Sequence, residues 1–278
     1  GAPGKSVIVY ADQGVGDEIF YANCMPELER VCARVTFDCH PRMEKLFARS
    51  FPWAEVHGTR KHLTAIPWLD GCGAKYTICL SDLPRLFRNS AESWGDGGPY
   101  LKAERKTNLT DTMRREEGIA PIRVGLSWTG GTKKTRSDLR SLPLTALEPI
   151  LRARPDAQFF SLQYTPNAAR EVCELEEQTG IRVAHFPGRV ECYDYDETAA
   201  FVASLDLVIT VTTAVHDLAS ALGVPNWVLV PSRPPWRFQL KGERLPWYAT
   251  ARLFRQVKDG DWKAPVEMVA REVAELRR

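Results

Sequence analysis

The sequence predicts an α/β protein whose two parallel-sheet halves face each other across a cleft, and three observations lead there. Strand-sized, β-rich runs alternate with helical patterns along most of the chain, the order that builds parallel sheets. The alternation pauses in the Gly- and Pro-rich stretch around SWGDGGPY and restarts at IRVGLSW. Each series opens with an apolar strand that runs into a glycine turn, SVIVYA into DQGVGDEI and IRVGLSW into TGGT. A break near Gly118 to Pro121 divides the chain into residues 1–118 and 119–278.

The elements follow in order. Ser6 to Ala11 form a buried strand, after which Phe20, Cys24, Leu28 and Val31 recur at helical intervals and make an amphipathic helix. Pro26 lies inside that pattern and either kinks the helix or marks its real start. RVTFDC, AEVHG after an FPW turn, and KYTICL read as strands. Asn89 to Lys106 reads as connection, since Gly and Pro disfavour regular structure there. A polar helix is expected over Asn108 to Glu117. In the second series PLTALEPILRARP is a helix with Pro143 in its first turn, QFFSLQ a strand, AAREVCELEEQTG a helix closed by Gly180, and IRVAHF a strand. ETAAFVASL, DLVITV, AVHDLASALG and WVLVP give helix, strand, helix, strand. The last segment sets Val266, Val269, Val273 and Leu276 on one face, a packing helix that could cross back to the first half.

With 278 residues, 44% of them hydrophobic, the chain can bury a full core. A net charge of +2 argues against a broad nucleic-acid surface but leaves room for local phosphate sites. No apolar run approaches the roughly 20 residues of a membrane helix, and GAPGKS lacks a signal peptide's apolar stretch. A soluble, cytoplasmic chain is the expectation. Seven cysteines (Cys24, Cys32, Cys39, Cys72, Cys79, Cys173 and Cys192) form no CxxC pair, which suits buried thiols better than disulfides or zinc.

Three turns carry candidate chemistry. In the first, Gly14 and Gly16 follow a strand and Asp38 ends the next one, as in a dinucleotide fingerprint. Ile19 stands where the third glycine would be, which would crowd helix-on-strand packing. Alternatively the glycines admit a sugar and Asp17 acts as a base at a helix start, or Asp17 is merely a cap. In the second, Thr212, Thr213 and Ala214 open a helix whose free amides suit a diphosphate. Thr212 could equally be an N-cap; His216 could donate to phosphate or sugar, or simply pack, and Asp217 reads as a first-turn acid. The third turn, after Trp128, frees the backbone at Gly130 and Gly131 and gathers Lys133, Lys134, Arg136 and Arg140 within eight positions. Arg140 and then Lys134 are the first choices for phosphate.

In order along nearly the whole chain, QGVGDEIFYANCMPEL, GGPYLKA, RVGLSWTGG, RSLPL, FFSLQ, LDLVITVTTAVHDLASALGVPNWVLVP and WRFQLKGERLPWYATARLFRQVKDGDW resemble the glycosyltransferase domain at the C-terminus of bacterial tetratricopeptide-repeat proteins. That group is heptosyltransferase-like and has the GT-B fold, two Rossmann-like domains facing across a cleft. The repeats themselves are absent, since no period of about 34 residues occurs. The resemblance implies transfer of a sugar from a nucleotide-sugar donor, held by the C-terminal domain, to an acceptor protein, lipid or glycan. It implies Asp17 as catalytic base, with Gln13, Gly14 and Gly16 as the acceptor-side loop. Lys134, Arg140 and the amides at Thr212 to Ala214 would take the leaving-group charge, with no metal or other cofactor. Trp128, Gly130, Thr213, His216, Gln163 at the end of FFSLQ and Trp236 would complete the donor site, with Arg237 bordering the sugar. A single base leans towards inversion. DYD at Asp194 to Asp196 has metal-motif spacing but precedes a helix, which suits loop and cap. The group's usual helix-start phrase carries its histidine one place later, a rotation of roughly 100°, so that here His216 is early or Asp217 replaces it. Two other readings stay open: a weakened GT-B domain that binds a sugar nucleotide or protein partner without turnover, and an NAD(P)-dependent oxidoreductase built on Gly14, Gly16 and Asp38.

Overall fold

The structure is a computed structural model and describes residues 4–60, 66–104, 122–186, 190 and 194–276. Its first sheet contains β1 (Ser6–Tyr10), β2 (Arg34–Asp38), β3 (Glu55–His57) and β4 (Tyr76–Cys79) in the order β3-β2-β1-β4. Its second contains β5 (Arg123–Ser127), β6 (Gln158–Ser161), β7 (Val183–Ala184), β8 (Leu207–Val211), β9 (Asn226–Val230) and β10 (Ala251–Arg255), ordered β10-β9-β8-β5-β6-β7. Every pairing between these strands is parallel. β5 and β8 are buried along their whole length, which is why both are mostly apolar rather than alternating.

The first helical region is two helices, α1 (Val15–Tyr21) and α2 (Met25–Val31), joined by a 3-10 turn. Pro26 lies in the first turn of α2, where its missing N–H costs no helical bond, so it marks a start. α3 (Glu44–Ser50) and α4 (Leu83–Phe87) complete the described helices of the first half. In the second half are α5 (Glu148–Ala153), α6 (Ala168–Thr179), α7 (Tyr195–Val202), α8 (Ala214–Ala221) and α9 (Lys263–Ala274). Pro143 precedes a 3-10 turn that leads into α5, and Gly180 closes α6 at φ 71°. The expected helix over Asn108 to Glu117 and the break near Gly118 to Pro121 lie outside the described residues, as does Cys192.

Among the described residues, the last helix packs within the second half. Val266, Val269 and Val273 are buried in one cluster with Ile150 and Leu151 of α5. The crossing segment is GGPYL instead: Tyr100 and Leu101 donate their backbone N–H to Ala221 O at 3.0 Å, and Ala249 N–H donates to Gly97 O at 3.0 Å. Gly97 has φ 64°, and a Cβ there would lie 2.9 Å from Ala249 N, so both conformation and space demand glycine. One apolar cluster runs through both halves, uniting Val9 and Ile19 with Phe160, Val215 and Leu218. Each such fully buried aliphatic contributes about 1.5–3 kcal/mol, so the two sheets are welded along a seam rather than loosely tethered.

Cys24, Cys39 and Cys72 are buried, Cys32 and Cys79 partly so, and Cys173 is exposed, all as free thiols. Burial pushes Cys24 up to about 12, the mark of an inert core thiol.

Candidate active site

A cleft of about 650 Å³ opens between the carboxyl ends of the two sheets. In open α/β sheets that edge is where ligands bind. Gly14, Gly16 and Asp17 line it from the first half; Lys134, Arg140, Thr212, Thr213, Ala214 and Trp236 line it from the second. The structure thus brings together nine residues that the sequence singled out from four separate turns.

Asp17 sits in the first turn of α1 with its side chain 39% exposed. It makes no cap: the N-cap position is Gly14, and no side-chain capping bond is formed. Its neighbour Glu18 is buried, accepts from His40 N–H at 2.9 Å and pairs with Arg60 at 3.0 Å. Burial, outweighing these partners, pushes Glu18 up to about 7. Adjacent acids therefore do different work, one anchoring α1 and the other open to the cleft.

The glycines of the first turn are explained by packing. A Cβ on Gly16 would lie 3.0 Å from Asp217 Oδ2 and 3.2 Å from Ala214 Cα, so this glycine lets α1 approach α8 across the seam. Gly14 has open space apart from Asp17 at 3.5 Å. Gln13 is exposed and turned from the cleft; it donates to Asp12 Oδ2 at 2.9 Å, and Arg60 holds its carbonyl.

The opposite wall is cationic. Lys134, Arg136 and Arg140 all face the cleft, and among the described residues no carboxylate pairs with any of them. Arg140 is held by its Nε donating to Gly130 O at 3.2 Å. Gly131 makes this possible, because at φ 81° its hydrogen faces the Arg140 guanidinium, where a Cβ would overlap at 2.0 Å. Gly130 lies off the cleft lining: a Cβ there would meet Thr213 Cγ2 at 2.6 Å, so it packs the turn onto the start of α8. Thr213 is the N-cap of α8, accepting from Val215 N–H at 3.0 Å. That leaves the Thr212 hydroxyl, which is buried on the cleft wall and has no hydrogen-bond partner. A buried hydroxyl without a partner costs about 1–3 kcal/mol, and this one lies beside a helix N-terminus, whose free amides attract anions.

Besides Gly130, three predicted donor-site residues are not on the cleft surface. Trp128 is fully buried and donates from Nε1 to Glu171 at 2.7 Å. Gln163 is fully buried, with Oε1 accepting from Trp128 N–H and Thr129 N–H, both at 3.0 Å; it shapes the glycine turn from behind. His216 is buried 2.8 Å from Asn226 Oδ1. The Asn226 amide nitrogen is committed to Ser220 Oγ and Val224 O, so the imidazole donates from Nδ1. Burial drives His216 down to about 3, against the partial support of Asn226.

Of the two neighbours at the displaced-histidine position, Asp217 lines the cleft and His216 does not. Burial pushes the Asp217 carboxyl up to about 7, only partly countered by Arg237 at 3.1 Å. Arg237, absent from the leading sequence candidates, also reaches Asp17 at 3.5 Å. Arg42, Tyr195, Thr198, Leu162 and Tyr164 are further lining residues that the sequence did not single out; Arg42 lies 5.4 Å over the Tyr195 ring. No spacing rule links these positions. Asp38, the would-be ribose acid, accepts from Thr59 N–H and Oγ–H, both at 2.9 Å, and is buried off the cleft. DYD is cap and ion pair: Asp194 caps α7, and Asp194 and Asp196 pair with Lys45 and Arg49.

His216 has a pH signature. Its folded value lies below its ordinary one, so its contribution is fully present above about 6.5 and is lost as pH falls towards about 3. Urea unfolding between pH 4 and 7 should show His216→Asn losing up to about 1.4 kcal/mol per pH unit less than the parent on acidification. Parallel slopes would mean the histidine titrates freely.

No described family profile matches the chain. It is 27% identical to Protein FlbA of Caulobacter vibrioides over 278 residues, covering 96% of this chain and 46% of FlbA, so it spans about half the length of that relative. Among solved structures it matches the glycosyl transferase family 9 protein of Veillonella parvula at TM-score 0.60 and 13% identity, covering 97% of this chain and 95% of the other. It matches Escherichia coli heptosyltransferase WaaC at 0.56 and 12%, covering 96% and 97%. Escherichia coli ADP-heptose heptosyltransferase II gives 0.56 and 12%, covering 97% and 96%. The chain has the two-sheet α/β fold of these heptosyltransferases, the GT-B arrangement.

Proposed function

We propose that the chain is a glycosyltransferase that moves a sugar from a nucleotide-activated donor to an acceptor hydroxyl. The observation that carries this reading is the opposition across one cleft of Asp17, the one open carboxylate on its lining among the described residues, and a wall of Lys134, Arg136, Arg140 and the orphaned Thr212 hydroxyl at the start of α8. A diphosphate on that wall would set the anomeric carbon towards Asp17. The carboxylate would take the acceptor proton as the new bond forms, while the cations and helix amides stabilise the departing diphosphate without a metal or other cofactor. One base facing one leaving group favours inversion. Escherichia coli WaaC, with the same fold, has been solved with ADP and with an ADP-sugar analogue, which supports a nucleotide donor here.

On this reading the chain is the transferase domain of a bacterial tetratricopeptide-repeat protein, with residues 1–118 on the acceptor side and 119–278 on the donor side. It works in the cytoplasm on a protein, lipid or glycan rather than on nucleic acid. The second reading, a binding domain without turnover, is favoured by one observation: Asp217 stands where the group's histidine is usual and is tied up by Arg237. The dinucleotide reading loses its footing, since Gly16 is filled by α8 and Asp38 by Thr59.

A thermal-shift screen over nucleotide sugars, free nucleotides and NAD tests the reading, since a bound ligand stabilises by mass action. Stabilisation by NAD alone would overturn it. Arg140→Ala should weaken nucleoside diphosphate binding about tenfold or more, the worth of one charge-assisted hydrogen bond. Unchanged affinity in calorimetry would remove Arg140 from the donor site.

A further inference from the structure

Asp17 projects from a seven-residue helix, and its one ion-pair partner among the described residues comes from the other half of the molecule. That partner, Arg237, has its side chain 15% exposed and both terminal nitrogens set against carboxylates. Nη1 donates to Asp217 Oδ1 at 3.1 Å and Nη2 to Oδ2 at 3.4 Å, while Nη2 also lies 3.5 Å from Asp17 Oδ1. Its plane sits 4.9 Å over the Phe20 ring. Asp217 also accepts from the Tyr248 hydroxyl at 3.3 Å, which lies 3.2 Å from the Tyr100 hydroxyl. Tyr100 donates to Ile19 O at 2.7 Å. The contacts therefore leave Asp17, pass through the second half and the crossing segment, and return to α1 two residues further on.

We propose that Arg237, braced by Asp217 and Tyr248, is a positioning residue that fixes the Asp17 carboxylate across the seam, so that the second half completes the base of the first. This rests on the glycosyl-transfer reading. Arg237 acts through Asp17 rather than on the donor. Both of its terminal nitrogens face carboxylates, whereas Lys134, Arg136 and Arg140, which line the same cleft, have no carboxylate partner among the described residues. The arrangement needs arginine, because a planar fork holds two carboxylates at once and an ammonium does so without fixed geometry.

The test uses the whole chain with Arg237→Met, Arg237→Lys, Asp217→Asn and Asp17→Asn. ADP and UDP are titrated by calorimetry, and turnover is followed with the nucleotide sugar that stabilises the chain most in the thermal screen. Arg237→Met should lower kcat about 100-fold, as loss of a placed base does, with donor KM and nucleotide Kd within about twofold. Arg237→Lys should recover part of that loss. An Arg237→Met protein with weakened ADP and UDP binding but parental kcat would make Arg237 a donor ligand and overturn the proposal. If Arg237→Met does not fold, Arg237→Lys and Asp217→Asn decide: a kcat loss at constant KM supports the proposal, and unchanged kcat overturns it. Failure of the wider reading is distinct. Parental turnover by Asp17→Asn, or no binding of any nucleotide sugar, overturns base and brace together, whereas an inactive Asp17→Asn beside a fully active Arg237→Met overturns the brace alone.

Discussion

Asp17→Asn should lose at least about 100-fold of transfer, within the 10²–10⁴ range for a general base, while binding nucleoside diphosphates as the parent does. The substitution preserves shape and helix position and removes the negative charge together with the ability to accept a proton. Nothing structural depends on the charge: Asp17 caps no amide, its side chain is open to the cleft, and Arg237 keeps its bidentate partner Asp217. The donor wall belongs to the other sheet, so the nucleotide Kd should stay within about twofold, a difference of roughly 0.4 kcal/mol. Initial rates with a saturating donor and calorimetry on the same preparation separate the two quantities. Parental turnover would reduce Asp17 to a surface acid.

How much of this was legible in sequence depends on the range of the interaction. Strand and helix order could be read because β5, β8 and β9 are short, mostly apolar runs and the punctuating Gly and Pro residues act locally. β10 escaped because ARLFR mixes partly exposed arginines with buried Ala251, Leu253 and Phe254, obscuring both strand patterns. The glycines were recognised as special for an incomplete reason: Gly16 and Gly130 make room for α8, and Gly131 for Arg140, none of which is near in sequence. Gln163 and His216 show the complementary limit. A polar side chain that faces a ligand and one buried against its own backbone look identical in a string of letters. The pairing of Asp217 with Arg237 was invisible for the same reason, although Asp217 was already marked as an acid in the first turn of a helix.

The seam that brings Asp17 to Arg237 also depends on a second, more peripheral clamp, and breaking it should cost about 3 kcal/mol. Arg49 of α3 grips Asp196 of α7 through both arms, with Nη2 at 2.6 Å from Oδ2. The Asp196 side chain is 5% exposed and that of Arg49 is 32% exposed. Arg49→Met would leave a carboxylate buried without its counter-charge, and losses of 3–5 kcal/mol are typical of such breaks. The low end applies because water can reach the vacated arginine side. Lys45 pairs with Asp194 one turn away but is 69% exposed, so Lys45→Met should cost less than about 1 kcal/mol. Because the harm comes from the stranded charge, Arg49→Met combined with Asp196→Leu should recover most of the stability, as apolar replacements of buried pairs do. Urea unfolding of the parent and these three variants measures this directly, and the apolar cluster shared by both halves predicts one cooperative transition for the parent. If Arg49→Met unfolds within about 0.5 kcal/mol of the parent, the clamp contributes no more than an ordinary surface pair, and the seam is held by its apolar contacts and the Arg237 network alone.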